Sequence, residues 1–156
     1  DGRVDIGIAS QAQASPDLQA KQLLAEHFVL VCSVDNPLVS SELPITWARL
    51  EGERFIAHGL LNLIDHAKIK ALVAEPAVTV HNITSIVSFV ERGLGVTLLP
   101  SLAAPKSDAI AVLPLEDTSV TRNIRLLTRD SLSPAAAILA ELISSRARDI
   151  SLAGQR

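Results

Sequence analysis

The sequence predicts an α/β fold with a largely parallel sheet. Three observations carry that expectation. Short runs with strand alternation recur along the chain, such as Val4, Ile6 and Ile8. Between them lie stretches with helical spacing, such as Ile83, Ile86, Val87 and Val90. Strands and helices then alternate in order, the arrangement that packs helices over a parallel sheet.

Taken in order, residues 3–9 read as a strand and 10–22, polar and holding Pro16, as a loop. His27–Ser33 is nearly continuous in apolar residues, as in a strand buried on both faces. Asp35-Asn36-Pro37 stops it with turn chemistry. Pro44 suits the first position of a short helix over 44–50. Arg54–Ala57 is a short strand, Leu60–Ala74 a helix and Val78–Val80 another strand.

The stretch from Asn82 to Pro100 is the most informative. Asn82 stands where a helix N-cap belongs, its side chain placed to accept from an orphan backbone amide. Gly93 stands where a left-handed residue closes a helix. Gly95 lets the chain turn tightly into the strand Val96–Leu99. Two glycines one residue apart also suggest a phosphate loop. That motif runs strand, glycines, helix, so that the helix N-terminus meets the anion. Here the order is helix, glycines, strand, and position 98 is leucine where the third glycine would fall. Beyond it, 109–115 and 123–128 read as strands. Ser133-Pro134 opens a final helix to about Ile150 with apolar positions Ala135, Ile138, Leu139 and Leu142.

Composition bounds the function. With 156 residues, 48% hydrophobic and 20% charged, the chain suits one domain or two small lobes. No run approaches the ~18 apolar residues of a membrane span, and no signal-peptide pattern opens the sequence. The net charge of −3 with scattered basic residues does not give a nucleic-acid footprint. Cys32 has no second cysteine to pair with, which fits a reducing cytoplasm. His27, His58, His66 and His81 lack metal-ligand spacing, so no metal is expected. No nucleophile elbow occurs, and the acidic pairs Glu51/Glu53 and Glu116/Asp117 read as solvated turns. No catalytic residue and no cofactor is expected. Asp1-Gly2 opens straight onto a strand pattern and no methionine is present, so the chain reads as the later part of a longer protein.

In open α/β sheets ligands sit beyond the carboxyl ends of strands, near helix N-termini. That rule selects Ser10 and Gln11 after the first strand, His58 and Gly59 after the strand 54–57, and Asn82, Ile83 and Thr84 after the strand 78–80. Each also has a plainer role: Asn82 as a cap, Thr84 bonding back to its own turn, His58 satisfied by backbone.

Several stretches in order resemble the effector-binding domain of LysR-type transcriptional regulators. They are Asp1–Ile8, Phe28–Val31 with Asn36-Pro37-Leu38, Trp47–Leu50 with Phe55-Ile56, Val87–Pro100, and Leu113-Pro114-Leu115. The resemblance implies a fold similar to the type 2 periplasmic binding proteins: two α/β lobes with a ligand cleft between them. It implies a nearly complete second lobe over 24–117 and a partial first lobe from 1–23 and 118–156. It further implies a cytoplasmic, non-enzymatic sensor of a small molecule, homodimeric or homotetrameric and without membrane contact. Helix N-termini favour an anion, so the expected effector is a small organic anion such as a carboxylate. DNA would be bound only by a winged helix-turn-helix domain preceding Asp1. The alternatives are a transport-type substrate-binding protein of the same general fold and, less in keeping with the glycine order, a fragment of an α/β enzyme.

Overall fold

The computed structural model describes residues 4–10, 17–41 and 43–153, the side chains of 151–153 excepted. The chain divides into two units, one of Asp1–Glu26 with Arg122–Arg156 and one of His27–Thr121. Among the described residues the strands are β1 (Ile6–Ala9), β2 (Gln19–Ser33), β3 (Ile56–His58), β4 (Val78–Val80), β5 (Thr97–Pro100), β6 (Ile110–Pro114) and β7 (Thr121–Thr128). The α-helices are α1 (Ala67–Ala74), α2 (Ile83–Glu91) and α3 (Pro134–Ala153).

In the second unit the core forms on both faces of a sheet, and β2 shows why. Phe28, Leu30 and Cys32 point into one apolar cluster with Leu50, Phe55, Ile69 and Leu98. Val31 points into the other with Ile56, Ile86, Val90 and Leu99. This is the period-two alternation of a strand covered on both sides. Helix α1 contributes Ile69 to the first cluster, and α2 contributes Ile86 and Val90 to the second. Leu30, Val31, Val90, Val96 and Leu98 are fully buried, each such side chain contributing about 1.5–3 kcal/mol by removal from water.

The expected parallel character holds only in part. Strand β3 pairs parallel with β4, Ile56 opposite Val78, and Phe55 and Ile45 form parallel bridges to Val96 and Leu115. Strand β2, however, is antiparallel to both β5 and β6, with Leu30 opposite Leu98 and Leu113. In the first unit β1 is antiparallel to β7, Ile6 facing Thr128, and β7 neighbours β2. Side-chain alternation is the same in both pairings, so it carried no direction.

Other boundaries moved for identifiable reasons. Strand β2 begins at Gln19, inside the expected loop. Ile45 is extended rather than helical, its amide donating to the Pro114 carbonyl at 2.8 Å. Only Trp47–Leu50 then forms a turn of 3₁₀ helix. The expected helix 60–74 is divided: Leu61–Leu63 is a 3₁₀ turn, and α1 starts after His66. The final helix begins as expected, with the Ser133 hydroxyl accepting from the Ala136 amide at 3.3 Å. Its larger apolar residues are not the packed ones: Ala136 and Ala147 are buried, whereas Ile138, Leu139 and Leu142 are exposed.

The two glycines of the Gly93-Leu94-Gly95 stretch serve different ends. Gly93 has φ +65°, and the Gly93 and Leu94 amides donate to the Val90 and Phe89 carbonyls at 2.9 and 3.0 Å. These are the two bonds of a Schellman closure. Gly95 has no positive φ; it is needed for close approach. A Cβ there would overlap the Arg54 carbonyl oxygen and lie 3.0 Å from Ile56 Cγ1.

Candidate functional site

Strands β3, β4 and β5 of the second unit end at one place. Their carboxyl ends and the start of α2 enclose a cavity of about 260 Å³, lined by His58, Gly59, Leu60, His81, Asn82, Ile83, Ile86, Leu99, Pro100 and Ala103. That volume is just below the ~300–1,000 Å³ typical of drug-sized ligand sites, and suits a small molecule.

The polar features of the cavity are few and fixed. The Asn82 side-chain oxygen accepts from the Ser85 amide at 2.8 Å, the capping arrangement expected from the sequence. The cap satisfies one orphan donor of α2 and leaves the first amides, of Ile83 and Thr84, without an intrahelical acceptor. These amides and the helix dipole make the end of α2 favourable to negative charge.

His58 is 5% exposed, and its Nε2 lies 2.9 Å from the Leu98 carbonyl. A carbonyl oxygen only accepts, so Nε2 must carry the proton. Burial lowers the pKa of the ring below the ordinary histidine value, against the opposite pull of the Leu98 carbonyl. Beside it the Thr97 hydroxyl donates to the Ile56 carbonyl at 2.8 Å. Strand β5 thereby holds β3 by two side-chain bonds, next to the backbone bond from the Ile56 amide to the Val96 carbonyl just before β5.

Of the residues expected at a binding site, His58, Gly59, Asn82 and Ile83 are brought together here. Thr84 sits in the first turn of α2 without lining the cavity. Ser10 follows β1 in the other unit, and Gln11 lies outside the described residues. Leu99 and Pro100 were missed, although they end β5 and the strand-end rule that found the others would have found them.

A second polar cluster corrects the reading of Asp117 as part of a solvated turn. Asp117 accepts from the Ser119 hydroxyl at 2.6 Å, the Ser119 amide at 3.0 Å and Trp47 Nε1 at 2.8 Å. His66 Nε2 is 3.1 Å away, and its ring stacks on Trp47 with centroids 5.1 Å apart. Hydrogen bonds from Ser119 and Trp47 hold the Asp117 carboxyl down to about 2. Among the described residues no three His, Cys, Asp or Glu side chains converge as a metal site, and no helix is long and apolar enough to cross a membrane.

Such an arrangement, strand ends and a capped helix N-terminus around a small cavity in an α/β unit, is of the kind at which α/β domains bind ligands. The family model "LysR substrate binding domain" matches residues 1–148, and the chain belongs to that family. The HTH-type transcriptional regulator YfeR of Shigella flexneri is 29% identical over 150 residues, 91% of this chain and 48% of the relative. The effector-binding domain of BenM with its effector benzoate superposes with a TM-score of 0.73 at 18% identity, covering 99% of this chain and 72% of that one. The effector-binding domain of QuiR in complex with shikimate gives 0.67 at 18% identity, covering 93% and 72%. The fold is therefore that of the LysR effector-binding domains, similar to the type 2 periplasmic binding proteins. The chain spans about half the length of the curated relatives it matches.

Proposed function

We propose that this chain is the small-molecule sensing part of a cytoplasmic transcription regulator, that it catalyses no reaction, and that its effector is a small organic anion. The two units correspond to the two lobes of the family, the second of them the more complete. The effector is held at the strand ends of the second unit, with its anionic group toward the first amides of α2. DNA binding belongs to a helix-turn-helix domain outside this chain, joined to it in a homodimer or homotetramer. The effector acts by favouring one arrangement of the protein over another through differential contacts.

The convergence of His58, Gly59, Asn82 and Ile83 on one cavity carries this reading. The family relationship supports it, as do benzoate and shikimate in the BenM and QuiR complexes. Calorimetric titration of the full chain with benzoate, benzamide and benzylamine tests it. The acid is expected to bind most tightly, and Asn82→Ala, which removes a cap worth ~1 kcal/mol of helix stability, to weaken its binding by loosening the first turn of α2. Tighter binding of the amide or the amine, or an unchanged affinity in Asn82→Ala, would overturn the reading.

A further inference from the structure

We infer that the effector carries a hydroxyl group in addition to its anionic group, and that His58 recognises that hydroxyl as a hydrogen-bond acceptor. The inference rests on the binding site proposed above and narrows its ligand to small hydroxylated carboxylates.

The argument begins with the two nitrogens of one ring. Nε2 is committed as a donor to the Leu98 carbonyl, so in the neutral ring Nδ1 is left with a lone pair and no proton. Among the described residues Nδ1 has no hydrogen-bond partner. It is not sealed from solvent either: among the described residues the buried, unpartnered side-chain polar atom is His66 Nδ1. His58 is more than nine-tenths buried and lines the strand-end cavity, which is where a partner for Nδ1 can be supplied. A polar atom held at the edge of a small, largely apolar site and left without a partner favours a ligand that supplies one.

The partner must be a donor. A carboxylate oxygen offers lone pairs against the lone pair of Nδ1 and is repelled there. Protonating the ring would relieve this, but burial disfavours the cation. The anionic group therefore belongs at the other polar feature, the amides at the start of α2. The Asn82 carboxamide oxygen is already engaged with the Ser85 amide, so it does not compete for the hydroxyl. Between the two polar features the wall is apolar, from Leu60, Ile83, Ile86, Leu99 and Pro100, and accommodates a ring or short carbon skeleton. His81 also lines the cavity but is exposed. It lacks the backbone bond that fixes the tautomer of His58.

Two measurements on the full chain test this. Long-range nitrogen–proton NMR correlation of histidine-labelled protein at neutral pH should show His58 with Nε2 protonated and Nδ1 bare, the signal being assigned by its loss in His58→Gln. A protonated Nδ1 would overturn the inference whatever the ligand. Calorimetry and amide NMR should then compare benzoate, 3- and 4-hydroxybenzoate, shikimate and the two methoxybenzoates. At least one hydroxy acid should bind about threefold to tenfold more tightly than benzoate, and its methyl ether should lose the gain. His58→Phe should abolish the preference. His58→Gln, which keeps a donor for Leu98 and an oxygen for the ligand, should retain it and control for folding. If the acids shift the Ile83–Ser85 amides without any hydroxyl preference, this inference fails and the binding site stands. If none of them shifts those amides, the site and the inference fall together.

Discussion

Gly95→Ala should be far more damaging than Gly93→Ala, although the two glycines are two residues apart. Alanine at 93 must hold a φ near +65°, which costs about 1–2 kcal/mol for an L-residue. Nothing lies within 4 Å of its added methyl, so no further penalty arises. At 95 the methyl overlaps the Arg54 carbonyl, a backbone group that cannot rotate away. The chain on one side or the other must retreat. The two bonds that fasten the segments there are Val96 N–H to Arg54 O at 2.9 Å and Ile56 N–H to Val96 O at 2.8 Å. Weakening both removes about 0.5–1.5 kcal/mol each, and forced overpacking adds about 1–3 kcal/mol. The expected loss of about 2–6 kcal/mol is a large share of the ~5–15 kcal/mol of a typical domain. Urea unfolding followed by the fluorescence of Trp47, the single tryptophan, measures both variants. Because β3 carries His58, Gly95→Ala should also weaken acid binding at denaturant concentrations where it remains folded. A smaller loss at 95 than at 93 would refute the close-approach account.

Two further expectations concern titratable groups. The Asp117 carboxyl, held near 2 in the fold against an ordinary 3.8, contributes stability that is present above about pH 4 and lost as pH falls toward 2. Its size is at most about 2.5 kcal/mol, reduced by water around a side chain 27% exposed. Asp117→Asn should lower stability at neutral pH and flatten its acid dependence, and coincident acid-unfolding curves of the two proteins would contradict this. The Cys32 thiol is raised to about 11, first by burial and then by the nearby Glu53 charge, and is fully buried. It should resist a disulfide reagent at neutral pH and react once urea unfolds the chain, so rapid labelling of the native protein would count against the packing of β2.

What could be read from the sequence depended on the range of the interaction. Helix α2 was legible at both ends because Asn82 and Gly93 act on backbone groups within a few residues of themselves. Strand β4 was found at its observed limits, since the short apolar run is its own signal. The first part of β2 was not legible: Gln19–Lys21 are exposed, and their extended form follows from lying beside β7, a hundred residues later. The same holds for Ile45, whose conformation is set by the Pro114 carbonyl. At the strand-end cavity, the sequence placed His58 but not the protonation of its ring, because the tautomer is fixed by the Leu98 carbonyl, 40 residues away.

That distance bears on how the site would work. Every polar group at the cavity whose geometry matters is held from behind: His58 by Leu98, β3 by Thr97, the start of α2 by Asn82. A ligand arriving there would not have to order these groups, and the entropy of fixing them is met in folding rather than in binding. The cavity side chains without such a bond are His81 and the apolar wall. Ile83, half exposed beside the capped amides, departs from the buried position its helical spacing suggested. At the rim of a site whose polar contacts are rigid, such a side chain can fit ligand skeletons of different width while the two polar ends stay in place. Selectivity would then reside in the distance between the α2 amides and His58 Nδ1, and tolerance in the wall between them.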